Sequence, residues 1–394
     1  MGLSGVIARL AVRAAQVLVV EVPGHGETRM EVEQELLRRG WRPAWTPADA
    51  DVLAVCGDPG PELSELVDRL WEQMPGPRVR CRIASPGAVG SALDDAAALL
   101  LDTPHHRSDA RERPQEPGIP EDGDDGGHGG MDHGEMDHGE MDHGEMDHGG
   151  HGGMDMAPAG IPLAEGGEDR DGLEMDVLHL PLGPVLPFWP AGLVLRCALQ
   201  GDVVVDAEAS VVDGANHAED DDENADHGAG ATGPRPRPAH GAVARCDQVM
   251  ALLALAGAED AAAWARRARD ALRHGDRAAA RAAAERLHRS VRRSWLLRWS
   301  LRGVLPLDPS ALERHELPRH CLGDAHDRLL SRVDRIRAEA GAAEPVPPDD
   351  DAVPWAVVPD LVTGLELGSV RLAVASLVLE PHPAVQEVDR VREH

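Results

Sequence analysis

Short apolar runs alternate with amphipathic stretches in the first part of the chain. QVLVVEV (16–22), DVLAVCG (51–57) and VRCRIA (79–84) have the length and β-branched composition of buried strands. A stretch with helical spacing of its apolar residues follows each run, as in ETRMEVEQELLRRG (27–40), which ends in a glycine. Repeated strand–helix units of this length favour right-handed crossovers. Residues 1–101 are therefore predicted to form a small α/β unit with a parallel sheet.

A different pattern begins after residue 172. LVLRCAL and DVVVDAEASV flank Gln200-Gly201-Asp202 and predict a β-hairpin, and the proline-rich segment 182–192 before them predicts an ordered loop. Stretches with helical periodicity follow at 246–275 with a break at Gly257, at 276–303, at 323–341, and at 358–379, which is apolar almost all round. The C-terminal part, 173–394, is thus predicted to combine a hairpin with a helical bundle, and the chain as a whole to be α+β.

The helical stretch 276–303 has two distinct faces. An arginine stripe from Arg277 to Arg302 is typical of a solvated surface, but it also suits docking of an acidic partner or of the acidic middle of the chain. The predicted apolar face of this stretch consists of Leu287, Val291, Trp295 and Trp299.

The middle of the chain is polar and strongly acidic. Residues 102–172 are rich in Gly, Asp, Glu and Pro, and between Asp102 and Arg170 there are 19 acidic residues and 4 arginines, a net charge of −15 out of −30 for the chain. Such a segment buries too little apolar surface to offset its ordering entropy, so 102–172 is predicted to be a disordered linker. The segment 213–240 is interpreted as a second acidic insert of the same character.

A five-residue unit recurs four times within this linker, in MDHGEMDHGEMDHGEMDHGG (131–150). Imidazole suits Cu(II), Ni(II) or Zn(II), thioether suits Cu(I), and carboxylate adds charge. The repeat therefore predicts weak binding of copper, nickel or zinc, although repeat slippage that leaves a solvated acidic spacer accounts for it as well. The candidate metal ligands are Met131, His133, Met136, His138, Met141, His143, Met146, His148 and His151.

Composition excludes several classes of function. All 39 basic residues are arginine and there is no tyrosine, so a lysine Schiff base or a tyrosine proton donor has no residue to use. The acidic balance argues against a nucleic-acid partner. The five cysteines are scattered without a C-x-x-C pair, which predicts no zinc ribbon, iron–sulfur cluster or disulfide framework. Without an apolar run of roughly 18 residues, no transmembrane segment is expected, and the predicted location is cytoplasmic.

The loop GHGET (24–28) lies between the first predicted strand and helix, where backbone N–H groups favour an anion. It lacks full Walker or G-x-G-x-x-G spacing, so a plain tight turn and a ligand loop both stay open. Further on, DADVLAVCG and LVDRLWEQMPGPRVRCRIASPG, together spanning 50–87, resemble the B subunit of NADH-quinone oxidoreductase (complex I). The cluster cysteines of that family are missing, since the first loop reads GHGE and the later cysteine position falls near Pro86.

A second resemblance covers the C-terminal part. LGPVLPFWPAGLVLRCALQGDVVVDAE is similar to the opening hairpin of the complex I D subunit, which is related to hydrogenase large subunits, with its pattern GP-x-HP-x-x-HG-x-LR. GDAHDRLLSRVDRI resembles the GD-x-YDR helix of that family, and 358–390 resembles its C-terminal segment. The resemblance implies a D-like domain, a quinone and NADH context, and other complex I-like subunits at the membrane surface as partners. The implied equivalents of its quinone-pocket residues are Gly183, Pro184, Pro187, Gly192, Arg196 and His326.

Departures from the family pattern limit what this resemblance implies. Leu186, and Pro190 or Ala191, stand where the two motif histidines would be, and His326 replaces the tyrosine. Proton and electron supply are both lost, so no catalytic residue is assigned, and the expected role is that of a degenerate accessory or assembly component. One alternative is a copper-, nickel- or zinc-binding protein acting through the repeat, and another is an active quinone-module subunit that borrows a cluster from a separate chain.

Remaining polar residues have simpler interpretations. His179 is expected to be a hydrogen-bonded surface residue. His315, His320, Cys321 and His326 are close in sequence and would make at most half a metal site, because no second cysteine follows at ligand spacing. Asp324, Asp327, Arg328 and Arg332 are spaced three to four residues apart on a predicted helix, and this spacing predicts ion pairs among them.

Overall fold

A computed structural model describes residues 12–113, 165–168, 174–213, 241–342 and 352–379. The mixed α+β fold predicted from the sequence is confirmed, with a parallel sheet near the N-terminus, an antiparallel sheet in the middle and helices in the C-terminal part. Within the described residues, no helix is both long enough and apolar enough to cross a bilayer.

The N-terminal unit alternates strands and helices as the apolar pattern predicts. Its parallel sheet has the order β2-β1-β3-β4. The strands are β1 (Gln16–Glu21), β2 (Arg42–Pro43), β3 (Val52–Cys56) and β4 (Val79–Ile83). The helices are α1 (Gly26–Arg39), α2 (Pro61–Gln73), α3 (Val89–Leu100) and α4 (Thr103–Glu112).

Helix α4 lies in the segment 102–172 that was predicted to be disordered, so this prediction is wrong for 103–112, and it is also wrong for Glu165–Glu168, which forms a strand. Asp102 caps the helix by accepting the N–H of His105, and Arg78 donates to Asp109 at 3.0 Å, which ties the helix to the sheet unit. These contacts come from single polar residues, so an argument based on apolar composition does not detect them.

The two faces of the parallel sheet are covered differently. Helices α1 and α3 cover one face, where Val32, Leu36 and Leu93 pack on Val52 and Ile83. Helix α2 covers part of the other face, through the buried residues Leu63 and Val67. That second face is completed by two residues from far along the chain, Val194 and Val212.

The antiparallel sheet supplies those two residues. Its order is β5-β6-β7-β8, and the central pair β7–β8 is the predicted hairpin. The additional strand β6 was not predicted, although Leu178, Leu180 and Leu182 alternate with His179 and Pro181 and pack on the core shared with β7. The strands are β5 (Glu165–Glu168), β6 (Glu174–Leu182), β7 (Leu193–Gln200) and β8 (Val203–Val211).

The C-terminal helices form the largest apolar core of the molecule. The predicted break near Gly257 is confirmed, whereas 276–303 and 358–379, each predicted as one helix, are both interrupted. The helices are α5 (Ala242–Leu255), α6 (Glu259–Arg273), α7 (Arg277–Arg293), α8 (Trp295–Leu301), α9 (Pro309–Arg314), α10 (Ala325–Gly341), α11 (Val358–Val362) and α12 (Leu367–Ala375).

The break between α7 and α8 overturns the predicted position of two tryptophans. Ser294 leaves helical geometry, with ψ of 103°, and its side chain caps the new helix by accepting the N–H of Leu297. The apolar stripe is thereby rotated, so that Leu297 and Leu301 are buried. Trp295 and Trp299, predicted to lie in the core, are instead 76% and 73% exposed.

Candidate functional site

The β7–β8 hairpin lies between the two parts of the molecule. On one side, Val194 and Val212 are buried against the parallel sheet and α2. On the other side, its residues pack on α11 and α12, and Val204 exchanges backbone hydrogen bonds of 2.9 and 2.7 Å with Leu365 and Gly364. The loops at the carboxyl end of the parallel sheet, where ligands bind in many open α/β folds, contact the two ends of this hairpin, since Pro23 lies against Gly192 and Gly60 lies against Asp213.

The loops at that end of the sheet are closely packed. Gly57, directly after β3, has φ of +105°, and a Cβ atom there would lie 2.6 Å from the ring of His25. Gly192, which precedes β7, similarly leaves room for Pro23. Nδ1 of His25 is buried without a hydrogen-bond partner among the described residues. The loop GHGET is thus a tight turn packed against neighbouring backbone.

Asp213, at the end of the hairpin, caps the N-terminus of α2. Its carboxylate accepts the backbone N–H groups of Glu62 at 3.1 Å and of Leu63 at 3.3 Å. Gly60 provides the necessary space, because a Cβ atom there would lie 2.4 Å from the Asp213 carboxyl carbon. A side chain that is about 150 positions away in sequence thus occupies the site where a helix N-terminus would otherwise receive an anion.

A cluster of buried charges joins the two units beside this end of the sheet. Arg29 on α1 donates to Glu21, to Glu33 and, at 2.5 Å, to Asp247 on α5. Arg269 on α6 is fully buried and donates to Asp247 at 2.6 Å, to Glu33 at 2.7 Å and to Asp270 at 2.9 Å. We call these residues, Glu21, Arg29, Glu33, Asp247, Arg269 and Asp270, the charge cluster.

The electrostatics of the charge cluster are dominated by burial and by the two arginines. Burial alone would raise the pKa of Asp247 and of Glu33, but Arg29 and Arg269 outweigh it and hold both pKa values below their usual range. Glu21 is affected in the opposite direction, because burial raises its pKa more than Arg29 lowers it. The cluster is therefore a compensated ionic joint, with carboxylates from the N-terminal unit and from the helical unit bound to the same guanidinium groups.

The implied quinone-pocket residues do not form one site. Trp189 donates its indole N–H to the carbonyl of Leu193 at 2.8 Å beside Gly183, where a Cβ atom would lie 2.1 Å from that carbonyl oxygen. Pro187 accepts from Arg371 through its carbonyl, and Arg196 points outward and bonds to Ser210 at 3.2 Å. His326 lines a separate groove to which none of Gly183, Pro184, Pro187, Gly192 and Arg196 contributes.

The groove lined by His326 has a volume of about 680 Å³ and lies between α8 and the start of α10. Ligand atoms of Asp324, His326 and Asp327 come within 4.8 Å of one another there. Both aspartates are already engaged in capping, since Asp324 accepts the N–H groups of Asp327 and Gly303, and Asp327 accepts that of Asp324. This arrangement explains the three side chains as a helix start, so they carry no metal assignment.

The ion pairs predicted among Asp324, Asp327, Arg328 and Arg332 are not formed. Arg328 and Arg332 are buried and donate to carbonyl groups and to Ser376, and neither is paired with a carboxylate among the described residues. Desolvation accordingly lowers the pKa of each guanidinium to about 10. The GDAHDRLLSR segment (323–332) therefore stabilises the local fold through a capping box and buried arginines.

None of the cysteines is placed to hold a cluster. All five are free, and four of them are fully or almost fully buried. Burial raises the pKa of Cys81 to about 12 and that of Cys56 further, which disfavours the thiolates that iron–sulfur clusters require. His315 lies 3.9 Å from Asp360, and His179 is exposed on β6. The candidate metal ligands between Met131 and His151 lie outside the described residues.

Comparison with known proteins gives no relative: no family model, no curated protein and no solved structure matches this chain.

The structure also identifies residues that sequence reasoning missed. Asp213 and the charge cluster were absent from the predictions, because arginines and carboxylates at helical spacing are typical of solvated faces. One available signal is Asp247, the only acidic residue in the mainly apolar helix α5, whose other polar residues are Arg245 and Gln248. An isolated carboxylate in such a helix indicates a buried partner.

Proposed function

We propose that this chain is a fused, catalytically silent homologue of the B and D subunits of complex I, acting as an accessory or assembly component of that machinery on the cytoplasmic side of the membrane. The observation that carries the proposal is the position of the hairpin. The segment that resembles the D-subunit opening packs at once on the B-like sheet, through Val194 and Val212, and on the C-terminal helices.

We infer the lack of catalysis from the residues at two positions, those of the iron–sulfur cluster and of the quinone pocket in the complex I subunits. At the carboxyl end of the sheet, the side chains next to the loops are those of His25 and Asp213, which pack closely against glycine residues. The nearby thiol of Cys56 is buried, and its burial raises its pKa. These residues do not fit an iron–sulfur cluster, so no electron-transfer step is assigned to this chain. Quinone reduction also lacks its proton donors, because Leu186 replaces a histidine and His326 lies in a different groove.

The charge cluster supports a scaffolding role. Two buried arginines bridge carboxylates from both units, which fixes the relative position of the B-like and D-like parts. A rigid body of this kind could bind the partners of the B and D subunits during assembly, because it would keep the binding surfaces of these subunits while lacking their catalytic groups.

Removal of the gene in the source organism tests this proposal. We expect less fully assembled NADH-quinone oxidoreductase on native gels, with restoration by the wild-type chain. The purified chain should show neither iron–sulfur absorption nor quinone reduction. Normal amounts of the complex in the deletion strain would contradict the assembly role, and a cluster chromophore or unaided quinone reduction would contradict the loss of catalysis.

The MDHGE repeat favours a second function, the binding of copper, nickel or zinc. We expect deletion of 128–156 to remove most of the copper that binds the purified chain, as measured by mass spectrometry after equilibration, because the repeat supplies nine regularly spaced His and Met ligands. Deletion of 216–228, which is acidic and has no methionine, serves as the control and should leave the metal content unchanged. Equal copper binding in both deletion variants would exclude the repeat as the site.

A further inference from the structure

Helix α8 presents an unusual set of exposed side chains. Trp295, Trp299 and Leu296 are 76%, 73% and 54% exposed, which is costly for large apolar groups that have another face of the helix available. The inward face of the same helix is already filled by Leu297 and Leu301. These three exposed residues are therefore not an incomplete part of the core.

Arginines surround these apolar side chains. Trp295, Arg298, Trp299 and Arg302 occupy positions i, i+3, i+4 and i+7 and share one face of the chain as it leaves α7. Arg293, the last residue of α7, extends the row at its other end. Arg293, Arg298 and Arg302 are all exposed, and none makes an ion pair with any carboxylate in the part of the chain that the structure describes. This is notable in a protein with a net charge of −30.

The groove of about 680 Å³ lies beside this row. Its walls include Arg292, Arg293, Arg298 and Arg302 together with Trp295. The two carboxylates in it, Asp324 and Asp327, are engaged in capping α10. Arg292 is paired with Asp334, so the guanidinium groups left for a negatively charged group are those of Arg293, Arg298 and Arg302, next to the protruding tryptophans.

We propose that this surface, made of Arg293, Trp295, Leu296, Arg298, Trp299 and Arg302 and called here the Trp–Arg surface, binds anionic phospholipid. Tryptophan side chains are favoured at the boundary between headgroups and acyl chains, and exposed arginines are attracted to anionic headgroups. A soluble phosphate would use the arginines but would leave Trp295, Leu296 and Trp299 in water. A lipid surface uses both kinds of side chain, and this combination decides between the two.

The inference stands apart from the proposed kinship with complex I. It rests on the exposed side chains of α8 and of the flanking Arg293 and Arg302, and it assigns a peripheral membrane contact to a chain whose described helices do not cross a bilayer. Because the whole chain is acidic, attachment depends on this local surface and not on overall charge.

Flotation of the full chain with vesicles tests the proposal. We expect binding at low salt to vesicles of equal parts phosphatidylcholine and phosphatidylglycerol, weaker binding to phosphatidylcholine alone, and a decrease with added salt. The double variant Arg298→Gln and Arg302→Gln should reduce partitioning into anionic vesicles by roughly 30-fold. The double variant Trp295→Ala and Trp299→Ala should reduce it by about tenfold or more at every salt concentration.

Matched variants elsewhere on the molecule provide the controls. Arg69→Gln with Arg82→Gln removes the same charge from exposed positions on the N-terminal unit, and Trp45→Ala removes a half-exposed tryptophan whose ring contacts Phe188 at a tilt of 48°. Both should partition as the wild type does. Circular dichroism establishes that each variant is folded.

Two outcomes would overturn the proposal. One is failure of the wild-type chain to bind anionic vesicles at low salt. The other is unchanged vesicle binding in both α8 double variants. Binding to soluble polyglutamate that depends on Arg298 and Arg302, without any binding to vesicles, would assign the surface to an acidic protein segment instead.

Discussion

Replacement of Arg269 by methionine is expected to lower the free energy of unfolding by about 3–5 kcal/mol. The guanidinium is fully buried and donates to Asp247, Glu33 and Asp270, so its removal leaves carboxylates that have lost a compensating charge in a site of low polarity. Methionine matches the arginine side chain as far as Nε, so the packing of the aliphatic part is kept. Urea denaturation followed by circular dichroism measures the change.

Arg267→Met is the matched control on the same helix. Arg267 is exposed and lies over the ring of Trp264, with its guanidinium carbon 4.3 Å from the ring centroid. Its loss should cost no more than about 1 kcal/mol. If Arg269→Met and Arg267→Met had the same free energy of unfolding, the charge cluster would not stabilise the contact between the two units.

The second large effect is expected at Arg328. This side chain donates to the carbonyls of Leu305, Cys321 and Gly323 and to the hydroxyl of Ser376, which lie on three different segments. Arg328→Met should lower the free energy of unfolding by about 3 kcal/mol, since buried acceptors without a donor cost about 1–3 kcal/mol each. Part of this loss is offset because the buried charge itself is unfavourable.

The control for Arg328 lies on the same helix. Arg337 pairs with Glu285 at 2.6 Å in an exposed position, and Arg337→Met should change the free energy of unfolding by at most about 1 kcal/mol. Thermal unfolding of both variants gives the comparison. A loss under about 1 kcal/mol for Arg328→Met would mean that water replaces its hydrogen bonds.

Periodic apolar patterns predicted the elements of the N-terminal unit well. β3 is uniformly apolar because both of its faces are covered, whereas the edge strand β4 alternates the buried Val79 and Ile83 with the exposed Arg80 and Arg82. The helices between the strands have clear apolar faces. The short strand β2 contains only Arg42 and Pro43, which carry no strand pattern. It pairs with β1 because of its position after α1 and not because of its composition.

The failures of prediction come from single polar residues. Ser294 restarts the helix and rotates the following apolar residues, which turned two predicted core tryptophans into surface residues. Asp213 and Asp247 act on residues far away in sequence, and such pairings depend on the tertiary fold. From the sequence, loop 24–28 at the carboxyl end of the sheet could be a tight turn or a ligand loop, and neither Asp213 nor the charge cluster beside it was predicted.

The position of the charge cluster between two covalently linked units has a further consequence. If the two units were separate chains, each binding event would remove water from the buried arginines and carboxylates. The free energy of this desolvation would weaken the association of the two chains. Within one polypeptide the units are already at high effective concentration, so the same polar junction remains closed. Covalent linkage thus permits an interface that holds the two units in one orientation even though its polar contacts contribute little affinity. It also keeps the two units in a ratio of one to one.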